Sequence, residues 1–117
     1  MRNLSGGQRQ AVAIARASSP DSKLVILDEP TAALGVVQKH QVLDVISSLA
    51  DNGVAVVLIT HDVSMVEAVA DRAVVLRLGR VAFDDSAAGL TQLDLLRLMS
   101  GEQAEGRTKV GLTAGAA

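Results

Sequence analysis

The stretch KLVILDE, residues 23–29, decides the fold of this sequence. Its run of branched and apolar residues predicts a short strand over 23–28 that is buried on both faces. A second run, VAVVLIT at residues 54–60, predicts another strand of the same kind. Between them, apolar residues recur with helical spacing over 36–51, and Asn52-Gly53 ends that helix. A helix between two apolar strands favours an α/β layered fold with a mostly parallel sheet.

The remaining segments extend this order in both directions. Helices are predicted over residues 8–18, 63–70 and 90–99, and a hairpin over residues 73–78 and 80–83. The 63–70 helix begins at Asp62, or at Ser64 with Glu67 as a capping box. We expect residues 1–100 to form one domain and residues 101–117 to form a disordered tail.

Composition narrows the class of protein. The chain has 117 residues, of which 49% are hydrophobic and 21% charged, as in a globular domain. A net charge of −2 gives no reason to expect nucleic acid as a partner. There is no cysteine, so disulfides and thiolate metal sites are excluded. No apolar run reaches the length of a membrane span, and we expect a cytoplasmic protein.

Polar residues follow both predicted strands where each strand ends. Asp28 and Glu29 follow the first strand, and His61 follows the second. In open α/β sheets ligands gather at the carboxyl ends of the strands. Asp28 can therefore hold Mg²⁺, Glu29 can orient an attacking water, and His61 can donate to a phosphate oxygen. Taken singly, the acids also fit a solvated turn, and the histidine fits a helix flank without a ligand.

The sequence LSGGQ, residues 4–8, precedes the first predicted helix. Glycines let backbone N–H groups approach an anion, and a helix N-terminus adds its positive dipole end. Ser5, Gly6 and Gly7 therefore predict a phosphate-binding turn that opens onto the helix. The alternative is an ordinary N-cap at Ser5, which needs no ligand.

Taken together, these segments resemble the ATP-binding cassette (ABC) ATPases of membrane transporters. LSGGQ looks like the family signature motif, residues 24–29 like Walker B with the catalytic Glu, and His61 like the switch-loop His. Residues 31–35 stand at the D-loop position. The resemblance covers residues 3–84, and it implies a P-loop NTPase-like fold.

The resemblance also implies a mechanism. Two cassettes pair head to tail with ATP and Mg²⁺ between them, and hydrolysis drives transport through membrane permease subunits. Ser5, Gly6, Gly7 and Gln8 would then bind the ATP of the partner cassette. Asp28, as Mg²⁺ ligand, and the catalytic residues Glu29 and His61 would serve the ATP of their own chain. A permease would hold such a protein at the inner face of the membrane, and a sugar-binding protein would be an indirect partner.

The sequence departs from the family pattern in two places. G-x-x-x-x-G-K-[ST] does not occur in these 117 residues. We therefore expect the C-terminal part of a cassette, partial in fold, whose isolated chain neither binds ATP tightly nor hydrolyses it. The D-loop has Gly35 where the family has an aspartate. TAALGV, residues 31–36, and residues 69–84 resemble bacterial importers of monosaccharides such as ribose, xylose and fructose.

Three functions remain open at this point. The chain is part of a sugar-importer ATPase, part of a cassette for amino acids or lipids, or a catalytically inactive dimerisation or regulatory fragment. An in-frame P-loop in the DNA upstream of Met1 would favour the first, and neighbouring permease and sugar-binding genes would separate it from the second.

Overall fold

The computed structural model describes residues 6–17 and 21–102 and confirms the predicted order of elements. The elements are α1 (Gly6–Ala17), β1 (Leu24–Asp28), α2 (Val36–Asp51), β2 (Ala55–Ile59), α3 (Val63–Val69), β3 (Arg72–Arg77), β4 (Arg80–Ser86) and α4 (Gln92–Ser100). The chain divides into two compact units, one up to His61 and one from Asp62 onward. Most of the predicted tail, residues 103–117, lies outside the described residues.

Strands β1 and β2 of the first unit pair in parallel, as predicted. Their register sets Leu24 opposite Ala55 and Asp28 opposite Ile59, so both strands end at the same edge. The backbone N–H of Glu29 continues the pairing with a 2.7 Å hydrogen bond to the carbonyl oxygen of Ile59. The residues after the two strands are therefore neighbours.

The expectation that β1 and β2 are buried on both faces is wrong for this chain. Val25 and Leu27 are buried, whereas Leu24 and Ile26 on the opposite face are 54% and 61% exposed. In β2, Val57 and Ile59 are likewise about half exposed. Among the described residues of this unit, buried hydrophobic side chains also come from α1 and α2: Ile14, Val42, Leu43 and Ile46. The described residues of this unit thus cover one face of the sheet and leave an apolar face open to solvent.

The second unit contains the predicted hairpin and two helices. Leu78 and Gly79 both have positive φ at the turn, as a two-residue hairpin loop requires. β4 runs to Ser86, past the predicted end at Phe83, because residues 84–86 still pair with β3. One face of the hairpin packs with α4 into a core of Ala73, Val75, Phe83, Leu90, Leu95 and Leu98.

The helix ends of this unit show which of the proposed caps form. Asp62 caps α3, because its Oδ1 accepts from the backbone N–H of Ser64 at 3.0 Å. The alternative capping box with Glu67 is wrong, since Glu67 accepts from the backbone N–H and the side-chain amide of Gln92, both at 3.1 Å. Glu67 thereby ties α3 to the start of α4. Gly101, the first residue of the predicted tail, ends α4 in the left-handed conformation at φ 98°.

None of the helices in the described part of the chain is both long and apolar enough to cross a membrane.

Two isoleucines of the first unit test this one-sided burial. Ile46 is 4% exposed in α2 and Ile26 is 61% exposed in β1. We expect Ile46→Ala to lower the free energy of unfolding by about 2–5 kcal/mol, because it leaves a cavity. The matched Ile26→Ala removes little buried surface and should cost about 1 kcal/mol or less. Urea denaturation measures both, and equal losses would show that Ile26 is buried in solution.

Candidate functional site

The carboxyl edge of the β1–β2 sheet brings Glu29, Thr60 and His61 together. Glu29 Oε1 lies 2.7 Å from the ring Nδ1 of His61 and accepts a 3.1 Å hydrogen bond from the His61 backbone N–H. The hydroxyl of Thr60 lies 3.5 Å from Glu29 Oε2. The residues come from segments about thirty positions apart, and the parallel register makes them neighbours. The sequence singled out Glu29 and His61 separately, but it contained no sign that the two bind each other.

Glu29 has an unusual backbone conformation. Its φ is +49°, in the left-handed region that residues with a side chain seldom occupy. Such a conformation costs on the order of 1 kcal/mol and persists only where the surroundings hold it. Here the backbone N–H is held by Ile59, and the carbonyl accepts from Ala32 at 3.2 Å in the turn that follows. The change of backbone direction at the end of β1 carries the carboxylate to His61.

The contact between Glu29 and His61 is a surface interaction, and it is an ion pair only when His61 is protonated. The His61 side chain is 80% exposed and that of Glu29 is 34% exposed. Solvent screens pairs of this kind, so their contribution to stability is typically about 0–1 kcal/mol. The pair therefore serves to orient the two groups more than to stabilise the fold.

The contact between the two side chains determines where the hydrogen of the His61 ring lies. An ionised carboxylate can only accept hydrogen bonds, so Nδ1 of His61 carries a hydrogen. Neutral His61 then offers a lone pair at Nε2, and only the imidazolium can donate from Nε2. Donation to a phosphate oxygen from this arrangement thus requires protonated His61.

Asp28, the last residue of β1, is exposed and opposite Ile59 in the sheet. The described residues contain no group of three or more His, Cys, Asp or Glu side chains able to hold a metal. A single carboxylate nevertheless fits Mg²⁺, which in phosphate-transfer sites takes one or two carboxylates and completes its shell with water and phosphate oxygens. Asp62, which follows His61, caps α3 through its carboxylate.

Gly6 and Gly7 lie inside the first turn of α1, so the prediction that they form a turn preceding the helix is wrong in this detail. Ser5, the remaining member of the predicted phosphate site, is outside the described residues. The first backbone N–H groups of a helix have no partner within the helix and point outward from its N-terminal end, where an anion can accept from them. Gln8 is exposed and Gly7 is buried. The packing of Gly7 against α2 could not be predicted from the sequence, because a long-range contact leaves no local signal.

The segment between Glu29 and α2 is a compact turn. Thr31 is buried, Ala33 has a φ of +64°, and Leu34 donates a 3.1 Å backbone hydrogen bond to Thr31. Gly35 is the N-cap of α2 and lacks a side chain that could accept from the first turn of the helix. The departure from the family aspartate therefore removes a potential cap.

Comparison with known proteins gives consistent matches. The profile of a family described as "ABC transporter" matches residues 1–32. The chain is 46% identical over 101 residues to the fructose import ATP-binding protein FrcA of Rhizobium meliloti, a match covering 86% of this chain and 39% of that protein. It is 46% identical over 81 residues to the glutamine transport ATP-binding protein GlnQ of Escherichia coli, covering 69% of this chain and 34% of GlnQ.

A solved structure shows the same fold. An ATP-binding cassette, in a dimeric post-hydrolysis state bound to ADP and Pi, superposes with a TM-score of 0.60 at 32% identity. That match covers 76% of this chain and 38% of the cassette. The chain thus spans less than two fifths of the length of each of these three proteins.

The tautomer of His61 is directly measurable. We expect ¹⁵N–¹H correlation spectra of the ring to show the hydrogen on Nδ1 of neutral His61, because Glu29 accepts it. Glu29→Ala removes the acceptor, and the ring hydrogen should then redistribute between Nδ1 and Nε2. His40 is an exposed histidine of α2 and serves as the internal control, with an unchanged spectrum. An unchanged His61 spectrum in Glu29→Ala would show that the pair does not exist in solution.

Proposed function

We propose that this chain, which belongs to the family of ABC transporter ATPases, forms part of the ATP-binding subunit of a sugar importer. ATP hydrolysis by that subunit would be coupled to transport. The observation that carries the proposal is the Glu29–His61 pair at the carboxyl edge of the sheet. That edge is where α/β folds place their ligands, and the pair combines a water-orienting carboxylate with a phosphate donor.

Three residues at the carboxyl edge of the sheet would have different roles in ATP hydrolysis. Asp28 would hold Mg²⁺, which when bound neutralises charge on the phosphates of ATP. Glu29, aimed by its left-handed backbone, would orient and polarise the attacking water. His61, with Nδ1 fixed by Glu29, would donate from Nε2 to the γ-phosphate in its protonated form. Hydrolysis requires all three beside the same nucleotide.

The start of α1 would serve a different nucleotide. We infer that Ser5, Gly6, Gly7 and Gln8 bind the ATP of a second cassette, paired head to tail with this one. The dimeric state of the similar cassette bound to ADP and Pi supports this arrangement. Backbone N–H groups in the first turn of a helix can bind a phosphate whether the nucleotide is held by the same chain or by a partner chain.

The partners and the location follow from an importer. We propose that the protein acts in the cytoplasm, at the inner face of the membrane, attached to permease subunits that carry the substrate. A sugar-binding protein on the other side would be an indirect partner. The ATP-binding relatives, each named for an import or transport system, support the proposal.

Fewer observations support a sugar as the transported substrate than support an importer. TAALGV at residues 31–36 and the hairpin segment at residues 69–84 resemble monosaccharide importers. FrcA is named for fructose import, but GlnQ, named for glutamine transport, is equally identical over a shorter stretch. An amino acid importer is therefore the second candidate, and the substrate has to be measured.

Uptake by cells of the source organism tests both parts of the proposal. With Glu29→Gln in the gene, we expect ATP-driven uptake of one monosaccharide to fall by about 100-fold or more, the usual effect of losing a group that activates water. Asp44→Asn on the exposed surface of α2 is the matched control and should leave uptake unchanged.

The panel of labelled substrates contains ribose, xylose, fructose and glutamine. Loss of glutamine uptake alone would overturn the sugar assignment and keep the importer. Unchanged uptake of all four compounds, with the variant protein present at normal levels, would overturn the assignment to an importer of these monosaccharides or of glutamine.

A further inference from the structure

Gln38, in the first turn of α2, lies against two glycines from different parts of the chain. One is Gly7, which is buried in the first turn of α1. A Cβ on Gly7 would lie 2.4 Å from both Cα and Cβ of Gln38 and 2.6 Å from its carbonyl oxygen. Carbon atoms do not approach so closely, and backbone atoms cannot rotate away. Any side chain at position 7 would therefore push α1 away from α2.

The second glycine is Gly35, the N-cap of α2. A Cβ on Gly35 would lie 2.7 Å from Oε1 of Gln38 and 3.7 Å from its Cδ. The backbone of Gly35, at φ −76° and ψ 178°, is one that any residue adopts, so conformation does not demand glycine here. The amide of Gln38 instead occupies the place of a side chain at position 35. This obstacle is the end of a flexible side chain, which can move.

Gly6 provides a contrast within the same turn of α1. Among the atoms of the described residues, a Cβ there would meet only the Cδ2 of Leu34, at 3.1 Å. That contact is tight but involves a side-chain methyl, which can shift by a few tenths of an ångström. The demand for glycine is thus strongest at position 7, where the neighbour is the backbone of Gln38.

We propose that Gln38 is a positioning residue of the candidate site. Its backbone sets how closely the first turn of α1 approaches α2, and its amide fills the space beside Gly35. The contact thereby joins the start of α1 to the turn that leads from Glu29 into α2. The consequence for nucleotide rests on the proposed function: the N–H groups of Gly6 and Gly7 would keep a fixed position relative to that turn.

Thermal unfolding of the full 117-residue chain tests the contact at Gly7. Gly7→Ala should lower the Tm by about 5–15 °C, the range expected for overpacking by one methyl group. Gly6→Ala is the matched control and should lower it by less than about 5 °C. Gln38→Ala should not relieve the effect of Gly7→Ala, because Cα, Cβ and the carbonyl oxygen of residue 38 all remain.

A double-mutant cycle between positions 35 and 38 tests the contact at Gly35 and does not depend on Gly7→Ala folding. In the Gln38→Ala background, Gly35→Ala should change the Tm by less than about 3 °C, since the gain from restricting the unfolded chain is offset by the poorer N-cap that alanine makes. With Gln38 present, the same change should lower the Tm further, because the new methyl group meets the amide of Gln38. Additive effects would mean that the amide does not occupy this space.

The ¹⁵N–¹H signals of the Gly6 and Gly7 amides test whether the backbone of residue 38, rather than its amide, positions the start of α1. Gln38→Ala keeps the Cα, Cβ and carbonyl oxygen that lie against Gly7, so both signals should stay in place and the Tm should change by less than about 3 °C. His40→Ala, two residues further along α2 and exposed, should move neither. Moved glycine signals in Gln38→Ala, or a Gly7→Ala chain as stable as the parent, would overturn the proposal. None of these measurements involves nucleotide or transport, so they stand or fall separately from the importer function.

Discussion

The parallel pairing of β1 with β2 is the constraint on which the site depends. Because Asp28 stands opposite Ile59, the residues that follow the two strands meet at one edge, and Glu29 reaches both the backbone and the ring of His61. A shift of the register by one residue would move one partner by more than 3 Å along the strand and break contacts of 2.7–3.1 Å. The backbone pairing of β1 with β2 thus holds the side chains of this site in position.

The conformation of Glu29 shows how that constraint is used. A residue that simply continued β1 would place its side chain by the alternation of the strand. The left-handed φ of Glu29 interrupts the alternation, and its cost is offset by the hydrogen bond from its N–H to Ile59 and by the turn that follows. Strain of this kind is typical of residues whose orientation matters for chemistry.

The order of elements, the parallel pair, the hairpin and the Asp62 cap could all be predicted, because each has a signal within a few residues. The features that could not be predicted depend on distant residues. Burial of both strand faces was inferred from apolar runs, but Ile26 and Leu24 are exposed because the described residues of the first unit cover the other face. Glu67 looked like a local cap and instead accepts from Gln92, 25 residues away. The Glu29–His61 pair likewise spans 32 positions, so only the fold could show it.

Gly7 illustrates why a motif residue can have two physical reasons to exist. A backbone N–H near the start of a helix can bind an anion, and glycine lets the anion approach closely. Independently of any anion, the backbone of Gln38 excludes a side chain at position 7. The loss of activity in a Gly7 variant would therefore combine a displaced helix with a blocked anion contact. Within the described part of the chain, a Cβ on Gly6 would meet only a movable methyl of Leu34, so a substitution there reports on the anion contact with much less disturbance of the packing.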